Sequence, residues 1–208
     1  MPLQNRVRPD GEIVATGQRG LFMGNRGGRL HDDRRRLETR RWASNAWICC
    51  RTSFNDRQRQ VMGSGYTELF FLDEATALAA GHRPCFECRH QDAVLFAEAW
   101  NAVRGLTGRA RAADMDDILH AQRLLPDGGK RLHTIASSDV PDGVFVLATG
   151  ISKLCYGGRL WFWTEAGYAT PMPAAAGWVE ALTPPAIIAV LGAGYRPVLH
   201  GSLSGRVA

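Results

Sequence analysis

Two cysteines separated by two residues, in the sequence Cys85-Phe-Glu-Cys88, are the residues of this chain best suited to carry chemistry. A Cys-x-x-Cys turn brings two thiolates to one side of the backbone, at the separation that a tetrahedral Zn²⁺ ion accepts. A redox pair is a rival interpretation, because a helix that begins after Arg89 would lower the pKa of the preceding thiols. However, the preceding sequence lacks the βαβ pattern that accompanies thioredoxin-like motifs. Two inert buried thiols are the third interpretation, and zinc is the one we favour.

Two ligands do not make a zinc site, so further donors must come from elsewhere in the chain. Cys49 and Cys50 are the nearest cysteines upstream, and they lie in a segment that predicts a strand. Because neighbouring side chains of a strand point to opposite faces, we expect only one of the two to reach the metal. His82 or His90 is an alternative donor. The chain has five cysteines, and this odd number argues against a disulfide framework.

Positive charge is concentrated in the first third of the chain. The formal net charge is +5, and all but two of the 25 basic residues are arginines. Residues 1–60 hold 13 arginines against six acidic residues, whereas the rest of the chain is slightly acidic. Arginine binds phosphate through two hydrogen bonds and stacks on bases, so this asymmetry favours a nucleic-acid surface, with a solvated charged face as the alternative. The candidate contacts are Arg34, Arg35, Arg36, Arg40, Arg41, Arg83 and Arg89.

The elements that must position these groups are predicted from apolar patterning and from capping residues. Aromatic and branched residues predict strands within residues 42–54 and 66–72. Between the second strand and the cysteine turn, Asp73 is typical of a helix N-cap and Gly81 of a helix end, which predicts a short helix over residues 74–80. Apolar residues at helical spacing predict two longer helices, over residues 90–104 and 114–124.

From His133 onward the chain is typical of an antiparallel sheet. Strands are predicted over residues 144–147, 151–156, 160–163 and 179–182. Gly157 and Gly158 are typical of a hairpin turn between two of them. A short helix is expected after Thr183, because a capping residue followed by proline is typical of a helix start.

The predicted fold class is therefore α+β. An N-terminal zinc-knuckle α/β region precedes a small antiparallel sheet of four or five strands. The predicted segments are a basic, glycine- and arginine-rich N-terminal segment over residues 1–41, a zinc-binding region with helices over residues 42–131, and an antiparallel region with a short helix over residues 132–208.

Residues 68–89 combine a strand, a short helix that ends in Ala-Gly, and an Arg-Pro-Cys-x-x-Cys turn. This stretch resembles the metal-binding domain of the Ada DNA-repair family. The whole chain also resembles a bacterial protein family of uncharacterised function, so that second resemblance predicts no particular activity. Ada-type domains bind zinc through four cysteines, and one cysteine of the upstream pair accepts a methyl group from a DNA phosphotriester. The resemblance implies that Cys85 and Cys88 are zinc ligands and that the partner is DNA rather than RNA. The upstream Cys-x-x-x-Cys pair is not matched, because Ser53 and Phe54 stand where the second cysteine of such a pair would be.

Together these observations predict a zinc-containing nucleic-acid-binding protein, connected with DNA repair or processing, in which zinc is mainly structural. An enzymatic alternative is methyl transfer to Cys49 or Cys50 after activation by zinc. A structural or protein-interaction module without nucleic acid is the second alternative. No catalytic residue is predicted, since neither His-Glu-x-x-His nor Gly-x-Ser-x-Gly occurs. The chain lacks an apolar run of about eighteen residues and a signal-peptide pattern at its start, so we expect a cytoplasmic protein without membrane contact.

Overall fold

The computed structural model describes residues 1–57, 60–108 and 110–203. Within these ranges the chain forms two six-stranded sheets and four α-helices, which makes it an α+β protein as the sequence predicts. None of the helices in these ranges is long and apolar enough to cross a membrane.

The first sheet combines strands that are far apart in the sequence. Its strands are β1 (Gln4–Val7), β2 (Ile13–Ala15), β3 (Phe22–Arg26), β4 (Trp47–Arg51), β5 (Leu69–Phe71) and β6 (Arg83–Pro84). Their spatial order is β2-β1-β5-β3-β4-β6; β1–β5 and β4–β6 are parallel, and the other pairs are antiparallel. The sheet thus takes strands from both the basic N-terminal segment and the predicted zinc-binding region. The β4–β6 pair brings Cys49 and Cys50 next to the turn that begins at Cys85.

The helices follow the predicted positions closely. They are α1 (Glu74–Ala79), α2 (His90–Arg104), α3 (Ala112–Arg123) and α4 (Pro185–Gly192). Asp73 caps α1 by accepting a hydrogen bond from the Thr76 amide. Gly81 follows the helix with a φ of +90°, a conformation that favours glycine. α2 begins directly after Arg89, so the cysteine turn leads straight into this helix.

The second sheet is wholly antiparallel and larger than predicted. Its strands are β7 (His133–Ala136), β8 (Phe145–Ala148), β9 (Ile151–Tyr156), β10 (Arg159–Thr164), β11 (Gly167–Pro173) and β12 (Trp178–Ala181). Their spatial order is β11-β10-β9-β8-β12-β7, and the predicted glycine hairpin joins β9 to β10. The prediction of four or five strands was wrong because it missed the two edge strands, β7 and β11. Pro171 and Pro173 interrupt the strand pattern of β11, and an edge is where a sheet tolerates proline.

Two adjacent acidic residues connect α1 to the C-terminal part of the chain. The Asp73 carboxylate accepts a hydrogen bond from the Tyr168 hydroxyl at 2.7 Å, and the Glu74 carboxylate accepts one from the Tyr195 hydroxyl at 2.6 Å. All four side chains are buried. Because buried polar groups are costly unless they are paired, these contacts hold α1 against the C-terminal part of the chain.

Candidate metal centre

Three cysteine sulfurs meet where the turn after β6 passes the end of β4. The backbone N–H of Cys85 donates to the carbonyl oxygen of Cys49 at 2.9 Å, which extends the β4–β6 pairing into the turn. The N–H of Arg89 donates to the carbonyl oxygen of Cys85 at 3.0 Å and closes the turn. As a result, the Sγ atoms of Cys50, Cys85 and Cys88 lie within 4.8 Å of one another, and all three residues are buried.

Cys49 lies outside this three-cysteine cluster, as the alternation of side chains along a strand requires. It packs in the core of the first sheet with Leu69 and Phe71, and Arg89 Nη1 donates a hydrogen bond to its Sγ at 3.4 Å. Burial raises the pKa of the Cys49 thiol. Of the two adjacent cysteines, only Cys50 is therefore placed to bind a metal ion together with the Cys-x-x-Cys pair.

Neither histidine that was considered as an alternative donor joins the cluster. His82 is buried against the rings of Trp47 and Phe71, at centroid separations of 5.1 Å and 4.7 Å, and burial holds its pKa well below the ordinary value. His90 is exposed, with Nδ1 at 3.1 Å from the Phe86 carbonyl oxygen. Across residues 1–57, 60–108 and 110–203, no fourth histidine, cysteine or acidic residue joins the three sulfurs.

Hydrogen bonds connect the three sulfurs of the cluster. Those from the Cys50 and Cys88 thiols, together with the N–H groups of Cys88 and Glu87, lower the pKa of Cys85. The contacts with the other two sulfurs, together with burial, raise the pKa of Cys50. The Arg51 N–H donates to Cys88 Sγ at 3.4 Å. N–H groups directed at sulfur stabilise a thiolate, and a cation can replace the thiol protons between the sulfurs, so the cluster is suited to a metal ion.

A tetrahedral zinc ion fits these separations. Zinc–sulfur bonds of about 2.3 Å place neighbouring sulfurs about 3.8 Å apart. That distance falls inside the 4.8 Å that encloses the three Sγ atoms. Thiolate donors suit zinc and softer ions and do not suit Mg²⁺ or Ca²⁺, which prefer oxygen. The three cysteines could therefore hold a metal ion.

One side of the cluster opens into a cleft of about 200 Å³, which all three cysteines line. Met23, Ile48 and Phe54 pack against the cysteines and form apolar walls. At the rim, Arg57 pairs with Glu87 at 2.6 Å. An ion held by the three sulfurs would therefore have protein on one side and an accessible cleft on the other.

Comparison with known proteins adds no assignment. Neither protein-family models, nor curated proteins, nor solved structures match this chain. The resemblance of residues 68–89 to the Ada-type domain stays a prediction, and the site is interpreted from its own geometry.

Residues 29–41 form a turn of extended chain, here called the arginine hairpin, on which several of the predicted nucleic-acid contacts lie. His31 anchors it: this buried ring lies 2.6 Å from the hydroxyl of Thr67. The neighbours of Thr67, Tyr66 and Glu68, line the cleft, so the hairpin is attached to one wall of the cleft. The exposed arginines of the hairpin are Arg34, Arg35, Arg36 and Arg40, and Arg41 is half-buried.

Arg83 and Arg89, the other two predicted nucleic-acid contacts, lie away from the surface in this structure. Both are buried and paired with acidic side chains. Arg83 donates two hydrogen bonds to Asp116, at 2.8 Å and 2.7 Å. Arg89 pairs with Asp92 at 2.9 Å and with Glu74 at 2.8 Å, the latter as an ion pair rather than an aligned hydrogen bond. The sequence suggested exposure because both arginines flank the cysteine turn, and it did not reveal their partners.

The residues that shape the cleft were missed at the level of sequence. Phe70 lies between the buried Leu69 and Phe71 in β5, and alternation along that strand puts its ring on the opposite face, where it lines the cleft. This alternation was a usable signal. Phe54 and Asn25 also line the cleft, but they come from a loop and from another strand, so no local pattern connects them.

Proposed function

We propose that this chain is a zinc-containing nucleic-acid-binding protein whose metal centre keeps one coordination position toward the cleft. The observation that carries the proposal is the meeting of three cysteine sulfurs, from Cys50, Cys85 and Cys88, at one end of that cleft. The exposed arginines of the hairpin, which is attached to the cleft wall, support the nucleic-acid part.

Zinc bound by this cluster has a structural consequence. It ties β4 to the turn that begins α2, so it connects the first sheet to the longest helix of the chain. Closed structural zinc sites have four protein ligands, whereas sites that bind an exchangeable ligand have three and an open position. The three-cysteine cluster beside an accessible cleft fits the second class. We therefore propose that the zinc both stabilises the fold and accepts a ligand from the cleft.

The open coordination position predicts that a small added ligand reaches the metal. We expect the cobalt-substituted protein to show intense thiolate-to-metal absorption, and its d–d bands to shift when imidazole is added, because imidazole nitrogen is a ready fourth ligand for such ions. Absorption spectroscopy of the full chain measures both. The Cys50→Ser variant is the control, and its thiolate absorption is expected to fall. A cobalt spectrum that does not change at saturating imidazole would contradict the open position.

The arginine hairpin has the chemistry of a phosphate-binding surface. Arg34, Arg35 and Arg36 follow one another at its tip and are exposed. Arg36 pairs with Asp32 at 2.7 Å, but an exposed ion pair of this kind contributes little to stability, so Arg36 can exchange its partner for a phosphate at small cost. Arginine is the preferred side chain for two-point binding of phosphate.

Replacing these three arginines by glutamine is expected to weaken DNA binding and to reduce its dependence on salt. Each lost phosphate contact lowers the slope of log K against log salt by about 0.9 for duplex DNA. Gel-shift or fluorescence-anisotropy titrations at several salt concentrations measure the slope, and parallel titrations with RNA of the same sequence compare the two nucleic acids. The matched control replaces three other arginines by glutamine, Arg104, Arg111 and Arg159, which are exposed outside the hairpin. Equal slopes for the wild type and the hairpin variant would remove the hairpin from the proposal.

Two alternative functions are proposed beside this one: methyl transfer to a cysteine, and a structural or protein-interaction role without nucleic acid. Methyl transfer to a zinc-bound thiolate is favoured by one observation: Cys50 lines the cleft, where a phosphotriester could approach its sulfur. In that step the thiolate sulfur forms a bond to the methyl carbon and the phosphotriester leaves as a phosphodiester anion. Cys49 is the weaker acceptor of the two, because it is fully buried and hydrogen-bonded to Arg89. A structural or protein-interaction module is what remains if no nucleic acid binds.

A further inference from the structure

A second cavity, separate from the cysteine cleft, collects buried positive charge. It has a volume of about 50 Å³ and lies between the first sheet, the end of α3 and the loop that follows α3. Four basic side chains line it: Arg26 and Arg123, which are buried, and Arg41 and Lys130, which are half-buried. The rings of Trp42 and Trp47 line it as well. It shares no lining residue with the cysteine cleft.

Two of the three arginines that line this cavity, Arg26 and Arg123, are buried without an acidic partner. Arg26 is 2% exposed and Arg123 is 0% exposed, and neither forms an ion pair with any residue in the described part of the chain. Their partners are backbone carbonyl oxygens and histidine rings. Arg26 donates to the carbonyl oxygens of Gly11 at 2.8 Å and Arg41 at 3.4 Å, and its Nε lies 3.4 Å from His82 Nε2. Arg123 donates to the carbonyl oxygens of Gly81 at 2.9 Å and Asn45 at 2.8 Å, and its Nη2 lies 2.9 Å from His120 Nδ1. The Nε of Arg123 is buried with no hydrogen-bond partner. Other buried arginines of this protein, such as Arg83, do have carboxylate partners.

The cations of the cavity are also close to one another. The guanidinium carbons of Arg26 and Arg123 lie 3.9 Å and 3.8 Å from the ring centroid of Trp47, so one indole ring contacts both charges. Burial lowers the pKa of both arginines to about 9 and lowers the pKa of the half-buried Lys130 to about 7. Cation–π contacts and carbonyl oxygens offset only part of the cost of burying like charges together. An anion bound in the cavity would offset the rest of that cost.

The charged groups at the edge of the cavity leave it positive. Two acidic residues line the cavity, the half-buried Asp10 and the exposed Glu12. The half-buried Arg41 also lines it and carries the opposite charge. The Asp10 carboxylate accepts a hydrogen bond from the Glu12 backbone N–H at 3.0 Å, so it is partly engaged within its own turn. Four basic residues and two acidic residues therefore line the cavity, and the two charged residues that are fully buried, Arg26 and Arg123, are both basic.

We infer that this cavity binds a small oxyanion of the phosphate type, either free or as the terminal phosphate of a larger molecule. Guanidinium and ammonium groups are the donors that recognise phosphate oxygens, and this cavity offers both. One water molecule needs about 10–15 Å³ of interior volume, so about 50 Å³ accepts a group of a few non-hydrogen atoms and no more. The aromatic ring of Trp42 at the same cavity gives a phosphate ester a surface on which its organic part can rest.

Thermal unfolding and calorimetric titration of the full chain test this inference. We expect inorganic phosphate to raise the midpoint of thermal unfolding above its value in chloride at matched ionic strength, because a ligand that binds the native state stabilises it. Methyl phosphate and phenyl phosphate separate the two sources: tighter binding of the esters indicates the terminal phosphate of a larger molecule, and tighter binding of phosphate indicates the free ion.

The Lys130→Met variant is expected to bind phosphate at least tenfold more weakly than the wild type. Lys153→Met is the matched control, since Lys153 is the other lysine of the chain and is buried against Phe162 outside this cavity. Arg123→Met is the stronger variant, and Lys130→Met keeps the test decisive if Arg123→Met does not fold. No stabilisation by phosphate beyond that by chloride overturns the inference, and so does an affinity that Lys130→Met leaves unchanged. Because metal content is not the readout, failure here is distinct from failure of the zinc proposal.

Discussion

Replacing Cys85 by serine is expected to abolish metal binding, with metal content falling from about one ion per chain to near none after dialysis. Cys85 supplies one of the three sulfurs that meet at the site, and its loss leaves two. Structural zinc binds with an apparent free energy of about 10–16 kcal/mol. Because one of three thiolate ligands is lost, we expect a large part of this binding free energy to be lost with it. Metal analysis by mass spectrometry and thermal unfolding with and without a chelator measure the effect. The variant is also expected to lose the stabilisation that zinc provides, about 4 kcal/mol when free zinc stands about 1,000-fold above its Kd.

The adjacent cysteines provide the control for this experiment. Cys50→Ser is expected to lose metal in the same way, whereas Cys49→Ala is expected to keep it, although the two residues are neighbours in β4. Cys49→Ala removes a buried thiol and its contact with Arg89, so its stability falls while its metal content does not. Full zinc retention by Cys85→Ser would overturn the metal centre. Loss of metal from Cys49→Ala but not from Cys50→Ser would mean that β4 presents its other face to the turn.

Local signals predicted the parts of the site that lie close together in the chain. Contacts within a few residues determine three of these parts: the Cys85–Cys88 turn, the cap at Asp73 and the start of α2. Short sequence motifs are enough to predict such contacts. The restriction to one of Cys49 and Cys50 also followed from a local rule, the alternation of side chains along a strand. Which of the two reaches the turn depends on which face of β4 is directed at the cysteine turn. That orientation is set by how the strands assemble into the sheet, and not by the local sequence.

Long-range pairing is what the sequence did not reveal. The first sheet places β1 beside β5 and β4 beside β6, pairs that are separated by tens of residues and that depend on how distant segments pack. The same limit applies to charge. The count of arginines showed an excess in the first third of the chain, but it could not show that Arg26 is buried in a cavity while Arg34 is exposed. Net charge informs about partners, and only the fold divides it between surface and interior.

A large loss of stability outside the metal centre is expected from breaking the ion pair between Arg83 and Asp116. Both side chains are 6% exposed, and the pair joins β6 to α3 through two hydrogen bonds. Arg83→Met leaves the Asp116 carboxylate buried without its partner, and removal of one partner from a buried pair costs about 3–5 kcal/mol. Urea unfolding at neutral pH measures the loss, with metal content recorded for each variant because Cys85 lies two residues from Arg83.

The pH dependence and the double variant separate this pairing from a role in phosphate binding. Burial raises the pKa of Asp116 even with Arg83 present, so in Arg83→Met the native state holds a proton on Asp116 more readily than the unfolded chain does. A native pKa above the unfolded value gives stability that is present at low pH and is lost as pH rises, so the deficit of Arg83→Met should shrink as pH falls. The double variant Arg83→Met/Asp116→Leu should regain most of the loss, because no buried charge is left unpaired. A variant that keeps wild-type stability but loses DNA affinity with a smaller salt slope would instead return Arg83 to the nucleic-acid surface.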